Sequence, residues 1–314
     1  MDYLIPSIKD IEEAHLRIKP YIHKTPVLTS KSINEITQTE LYFKCENLQK
    51  IGAFKIRGAC NAIFQLPEET QCVATHSSGN HAQAVAYAAK LKGLKAYIVM
   101  PKNAPKVKIK AVVGYGAEVI FCEPNQKARE ETLNNVVEKT RAAFIHPYDN
   151  KKVICGQASA AKELIEETPR LDFVITPVGG GGLLAGTSLS VHYFSKETMV
   201  IAGEPEGADD AFRSIQSGEI IPSIKPNTIA DGLLTSLGNH NFHIIKKHVE
   251  SIICVSDDEI IAAMRLIWER LKIVVEPSSA VPLAALIKYK TLFENKKVGI
   301  ILTGGNVDLG KLPF

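Results

Sequence analysis

Along this chain, short apolar runs alternate with longer stretches in which apolar positions recur every three or four residues. The first pattern predicts buried strands and the second amphipathic helices. Residues 11–18 read as a helix, 41–44 as a strand, and 58–65 as a helix opening just after Lys55. A regular alternation follows. Strands are expected at 72–75, 96–100, 118–122 and 143–146, with helices at 79–91, from just after Pro101 to about 113, and at 128–140. Beyond it come a helix at 154–167, a strand at 173–177 ending in four glycines, a helix at 183–194 and a strand at 199–203. Helices at 257–271 and 279–289 and a strand at 298–303 complete the pattern.

Strands separated by helices imply an α/β architecture with mostly parallel sheets, because parallel neighbours need a crossover long enough to hold a helix. The stretch 72–146 is nearly self-contained. Two closely packed domains are therefore expected, a small one at 72–146 inserted into a large one made of 1–71 and 147–314.

Composition narrows the function. The 314 residues include 37 basic and 34 acidic ones, a net charge of +3. That balance leaves no footprint for nucleic acid or an anionic membrane. No apolar stretch is long enough to predict a membrane span. The opening MDYLIPSIKD carries acids and no apolar run, unlike a signal peptide. Six scattered cysteines without a CxxC pair suit free thiols in a reducing compartment, so a cytoplasmic location is expected.

Four constellations could carry chemistry. Gly179, Gly180, Gly181 and Gly182 follow a strand and open a helix, where backbone N–H groups and the helix dipole favour a phosphate. The same loop fits a loose dinucleotide fingerprint, with Glu204 ending the next strand as a ribose-binding acid would, so a nicotinamide oxidoreductase is an alternative on motif logic. Lys55 stands at a helix entrance between Phe54 and Ile56; such a lysine is usually a solvated charge, but apolar shielding would lower its pKa toward a reactive amine. His76-Ser77-Ser78-Gly79-Asn80-His81 joins a strand to a helix, which suits either a plain N-cap or carboxylate binding. Glu204, Glu206, Asp209 and Asp210 crowd one turn, which suits either a solvated acidic loop or a site for Mg²⁺ or Ca²⁺.

Taken in order, these pieces resemble the fold-type II pyridoxal-phosphate (PLP) enzymes, in the branch of serine racemases and serine/threonine dehydratases. The similarity runs nearly end to end through His23-Lys24-Thr25-Pro26, Phe54-Lys55-Ile56-Arg57-Gly58-Ala59, Ser77-Ser78-Gly79-Asn80-His81, the tetraglycine loop, the Glu204 turn, Ile229-Ala230-Asp231-Gly232 and Thr303-Gly304-Gly305-Asn306. It implies two lobes, each a mostly parallel sheet flanked by helices. It also implies that Lys55 is the Schiff-base lysine and the base on one face of the substrate Cα. Phe54 would pack beside the ring, Asn80 would bond the ring hydroxyl, and Thr303 would face the pyridine nitrogen. The phosphate would lie on Gly179, Gly180, Gly181, Gly182 and Leu183. Ser77, Ser78, Asn80 and His81 match the substrate-carboxylate loop, and Arg129 a small-lobe arginine at the substrate's far end. Glu204, Asp210 and the Ala208 carbonyl match a divalent-cation site for Mg²⁺, Ca²⁺ or Mn²⁺.

A hydroxyl rather than a carboxylate at the ring nitrogen implies a weaker electron sink and hence elimination. Serine would yield pyruvate and threonine 2-oxobutyrate, each with ammonia. Ser78, where similar dehydratases commonly have alanine, implies a second base on the opposite face and so serine racemisation. The branch also includes threo-3-hydroxyaspartate ammonia-lyases, and Arg129 could pair with a second carboxylate. Rival classes are a racemase proper, a β-replacement synthase of the cysteine synthase kind, and a non-catalytic PLP carrier. His146-Pro147-Tyr148-Asp149 looks dehydratase-like, while Ile51 and Lys31 depart from the residues that flank ATP in animal racemases and weigh against an ATP effector. A homodimer acting on a small amino acid is expected.

Overall fold

A computed structural model describes residues 5–104 and 106–314. Helix α1 (Ile8–Ile18) is followed by β1 (Val27–Leu28), α2 (Lys31–Thr37), β2 (Glu40–Cys45) and α3 (Lys55–Ile63). Strict alternation then runs through β3 (Cys72–His76), α4 (Asn80–Lys92), β4 (Lys95–Pro101), α5 (Lys106–Gly114), β5 (Glu118–Cys122), α6 (Gln126–Thr140) and β6 (Ala143–Phe144). Next come α7 (Lys151–Glu167), β7 (Phe173–Pro177), α8 (Gly182–Phe194), β8 (Met199–Pro205), α9 (Asp210–Ser217) and α10 (Asn239–His248). The chain closes with β9 (Ser251–Val255), α11 (Asp257–Leu271), α12 (Pro277–Lys288), α13 (Lys290–Phe293) and β10 (Lys297–Leu302).

Two sheets result. One has six strands in the order β1-β2-β10-β7-β8-β9, the other four in the order β5-β4-β3-β6. Every pairing is parallel except β1 with β2. All of β7 is buried, as a central parallel strand covered on both faces requires. Its period-two alternation assigns neighbours to opposite cores. Ile175, Ile201 and Ile300 join the cluster under α11 and α12, whereas Val174, Val200 and Ile301 join that under α1, α7 and α8. Among the described residues no helix is long and apolar enough to cross a membrane.

Local differences from the sequence pattern have local causes. Helix α3 starts at Lys55 itself. Strand β6 stops at Phe144 because His146 Nδ1 accepts from the Tyr148 and Asp149 amides and folds a turn. A turn closed by Ala104 N–H to Pro101 O delays α5 until Lys106.

Helix α3 is pinned from below by a buried ion network. Arg57 is fully buried and spends all five N–H donors: two on Glu46 at 2.7 and 2.8 Å, two on Glu163 at 2.8 and 2.7 Å, and one on Ser159 Oγ at 3.0 Å. Lys44 Nζ meets Glu163 at 2.8 Å and the Thr25 carbonyl at 2.7 Å. The two most buried carboxylates, Glu46 and Glu163, thus face Arg57 and Lys44, Glu167 adds a longer contact to Lys44 at 3.3 Å, and burial is compensated. Just above, α3 and α7 cross in backbone contact, where a Cβ on Gly156 would lie 2.5 Å from the Arg57 carbonyl. Arg57→Met would leave Glu46 buried without its cation. The free energy of unfolding should fall by about 3–5 kcal/mol, read as a lower urea midpoint at unchanged slope. An unshifted midpoint would show that the network does not hold α3.

Candidate active site

His76, Pro177 and Thr303 stand at the carboxyl ends of β3, β7 and β10 and line one cavity of about 390 Å³. Open α/β sheets place ligands at this edge. Phe54, Lys55, Ser77, Ser78, Asn80, His81, Arg129, Gly179, Gly180, Gly181, Gly182, Leu183 and Thr303 all line it. Residues more than two hundred positions apart in sequence therefore meet in one space.

Lys55 opens α3 with its Nζ donating to the Pro147 carbonyl at 3.0 Å and lying 5.1 Å from the Phe54 ring centroid. Removal from water lowers its pKa from 10.5 to about 8, against the pull of Glu276. A substantial neutral fraction near neutral pH makes it a nucleophilic amine.

The glycine loop is shaped by what surrounds it. A Cβ on Gly180 would sit 2.4 Å from the Tyr148 ring, and Gly181 has φ +89°. Asn241 Nδ2 and Gly238 N–H both donate to the Gly180 carbonyl, at 2.7 and 3.2 Å. A trans peptide turns the Gly181 N–H the other way. The Asp149 carboxylate locks this arrangement by accepting from the first amides of α10, at 3.0 Å from Asn239 and 2.9 Å from His240. With α8 starting at Gly182, the loop and the first turn of the helix present backbone N–H groups of the kind that suit an anion.

Between β3 and α4, Ser77 Oγ accepts from the Gly79 amide at 3.2 Å. Ser78 lines the cavity and makes no hydrogen bond among the described residues. His81 Nε2 lies 3.1 Å from the Ile145 carbonyl, so it carries the proton there and Nδ1 remains a buried acceptor without a partner among the described residues. Burial, with Lys55 close by, holds His81 well below 6.5 and keeps it neutral. The Asn80 amide donates to Glu276 Oε1 and accepts from Asn306 Nδ2, each at 2.9 Å. The Thr303 hydroxyl is 3.0 Å from Ser279 Oγ, which also donates to the Gly304 carbonyl at 2.6 Å. Arg129, on α6, brings a buried Nε that has no partner among the described residues, and burial together with Arg129 lowers the pKa of His76.

Glu204, Ala208 and Asp210 lie outside this cavity, at the junction of β8 and α9. Both Glu204 oxygens accept α9 amides, from Ala211 and Phe212 at 2.8 Å each. That carboxylate therefore serves α9 and not a ribose on the glycine loop, which removes the motif argument for a nicotinamide cofactor. Burial, with Asp210 adding repulsion, pushes Glu204 to about 8. Burial pushes Asp210 to about 6, against the opposing Leu237 backbone and Ser223 side chain, although neither Asp210 oxygen has a well-formed hydrogen bond among the described residues.

Among the cavity residues that sequence reasoning missed as functional candidates are Tyr148, Asp231 and Glu276. In the sequence Tyr148 reads as part of a departure from a motif, Asp231 as a motif flank and Glu276 as a helix boundary. Glu276 directly precedes Pro277 at the start of α12, where an acid usually serves only the helix dipole. No local pattern marks it out.

A desolvated lysine, a glycine loop at a helix start and a polar strand-to-helix turn thus meet around one cavity. The profile of the family described as pyridoxal-phosphate dependent enzyme matches residues 18–304, and the chain belongs to that family. Within it, this protein is similar to the serine racemase of Dictyostelium discoideum, 54% identical over 98% of this chain and 96% of that protein. A solved structure of that racemase has a TM-score of 0.92 and covers 96% of this chain and 99% of its own. The chain is also 51% identical to the beta-hydroxyaspartate dehydratase of Paracoccus denitrificans, over 99% of both. A solved threonine deaminase structure, from T.th., is 42% identical with a TM-score of 0.93, covering 97% of this chain and 99% of its own.

Proposed function

We propose that this protein removes water and then ammonia from small 3-hydroxy amino acids, converting L-serine to pyruvate and L-threonine to 2-oxobutyrate, and that it also racemises serine. The observation that carries the reading is the Lys55 amine, desolvated inside the cavity that the glycine loop and the Ser77–His81 turn also line. PLP, when bound, supplies the electron sink that lets the Cα proton leave. Lys55 is the group that anchors it and takes that proton. Gly180, Gly181, Gly182 and the α8 N-terminus hold its phosphate, and Asn80 and Thr303 orient its ring. The α4 amides and the Ser77 and Ser78 hydroxyls receive the substrate carboxylate. Ser78 exchanges the proton on the face of Cα opposite Lys55. Six free thiols support a cytoplasmic location.

A second reading, deamination of 3-hydroxyaspartate, is favoured by one feature. The unpartnered buried Arg129 Nε offers a charge-assisted bond to a second carboxylate. The 51% identity to a beta-hydroxyaspartate dehydratase supports it. A panel of L-serine, D-serine, L-threonine and the 3-hydroxyaspartates, scored for keto acid and inverted amino acid, decides between them. If the second carboxylate is the true target, Arg129→Ala should lower kcat/KM for 3-hydroxyaspartate by ~100-fold, with L-serine changed less than ~10-fold. Equal losses on both would remove this reading.

Glu204, Asp210 and the Ala208 carbonyl are the residues that would hold a divalent cation. The two Asp210 oxygens support this, since among the described residues neither has a well-formed hydrogen bond and buried carboxylate oxygens are ordinarily satisfied. Chelation should lower the melting temperature by several degrees, because a ligand bound at ~100 times its Kd adds about 2.7 kcal/mol. Mg²⁺ should restore it in the wild type and fail to do so in Asp210→Asn. A melting temperature indifferent to chelator would count against the site.

A further inference from the structure

Cavity residues that the mechanism leaves unassigned include a buried carboxylate. Glu276 is 3% exposed and sits between Asn80 and the Thr303–Gly304 backbone. Its N–H donates to the Gly304 carbonyl at 3.0 Å, and a Cβ on Gly304 would come 2.8 Å from Glu276 Oε1. It therefore touches both segments assigned above to the edge of the cofactor ring.

The hydrogen bonds leading to Glu276 run in one direction. Asn306 Nδ2 gives one hydrogen to the Ile51 carbonyl at 2.8 Å and the other to Asn80 Oδ1 at 2.9 Å. Asn80 Nδ2 then gives one of its hydrogens to Glu276 Oε1 at 2.9 Å. Flipping the Asn80 amide would set NH₂ against NH₂ and a carbonyl oxygen against a carboxylate, so the amide has one orientation. One Nδ2 hydrogen stays free for a ligand. The far end of the chain is held at some cost. Ile51, a β-branched residue, sits at φ +61°, in the left-handed region that such residues rarely adopt.

We propose that Glu276 is a positioning residue of the cofactor site, which fixes the Asn80 donor toward the ring oxygen and sets a buried carboxylate in the cavity that Lys55 also lines. The inference rests on the reading that this cavity binds PLP. Burial, with Asp231 adding repulsion, brings Glu276 to about 7, while Asn80 and Lys108 oppose the rise. The other titratable and charged residues lining the cavity are His76, His81, Lys108, Arg129, Tyr148 and Asp231. Lys108 and Asp231 are themselves an ion pair. His81 and His146, which also face Lys55, are both held neutral by burial, His146 down to about 4. The Glu276 charge is thus the one that opposes loss of the proton from Lys55.

The test uses the full-length chain loaded with PLP and follows the visible absorption band against pH. Glu276→Gln keeps an acceptor for Asn80 but removes the charge. The midpoint of the titration should move down by about one pH unit, the size expected when a nearby opposite charge is lost. Asn306→Ala keeps the charge but releases Asn80. It should weaken PLP binding ~10-fold, about one hydrogen bond, with the midpoint unmoved. A merely structural carboxylate would lower stability without moving the midpoint, so an unshifted or raised midpoint in Glu276→Gln overturns the proposal. A shifted midpoint in Asn306→Ala overturns it as well. Wild-type chain that takes up no PLP would overturn the underlying functional reading and the proposal together. A loaded wild type beside an unshifted variant overturns the proposal alone.

Discussion

Lys55→Ala should yield a folded chain that loses both elimination and racemisation by more than ~10³-fold. The wild type should be yellow and, after borohydride, carry the label on Lys55; the variant should show no fixed label. Two roles are removed at once. The amine is the covalent anchor for the cofactor, and a positioned proton carrier alone is worth about 10²–10⁴-fold. Folding should survive because α3 is held by Arg57 below and by the apolar faces of Ile56, Ala59 and Ile63. Truncating a lysine that makes one hydrogen bond, to the Pro147 carbonyl, removes a desolvated charge and not a core contact. The direction of the pH effect follows from its depressed pKa. Above about 8 the amine is neutral and attacks a carbonyl, and below it the ammonium does not. Covalent capture of PLP by the wild type should therefore speed up as pH rises through 8 and level off above. Borohydride labelling of any other lysine, or capture that slows as pH rises, would refute the assignment.

Ser78→Ala should separate the two activities. Racemisation should fall by more than ~100-fold, while elimination from L-serine stays within ~10-fold of the wild type. Inversion needs a proton carrier on each face of Cα, whereas elimination needs one to take the proton and a path for the hydroxyl to leave. Ser77 Oγ accepts from the Gly79 amide and is held in the turn, whereas the Ser78 hydroxyl lines the cavity without a partner among the described residues. It is thus the free hydroxyl of the pair. Alanine removes that oxygen without perturbing the turn. D-serine should become a very poor substrate, since its Cα proton points to the face Ser78 serves. Parallel loss of both activities would mean that Ser78 binds the carboxylate and nothing more.

Much of the fold was legible because strand and helix periods are local properties. From β3 to β5 and from α7 to β8 the apolar pattern marked the elements to within a few residues. It passed over β1, α2, α9, α10, β9 and α13. Helix α10 is mostly polar, with buried Asn241, Phe242, Ile244 and Ile245, and is capped by Asp149 from ninety positions away. Such elements owe their stability to packing and to distant caps, which periodicity does not record.

Candidate chemistry divides the same way. The sequence by itself determined that an anion cradle follows β7, that a polar turn follows β3 and that a lysine stands between apolar neighbours. Glycine, serine and asparagine have backbone preferences that show locally. Only the tertiary structure decided that these segments and Thr303 close on one cavity, since parallel crossovers bring distant strand ends to one edge. It also decided that Lys55 is desolvated and that Glu276 faces Asn80, because burial and electrostatic coupling depend on neighbours in space and not on neighbours in the chain.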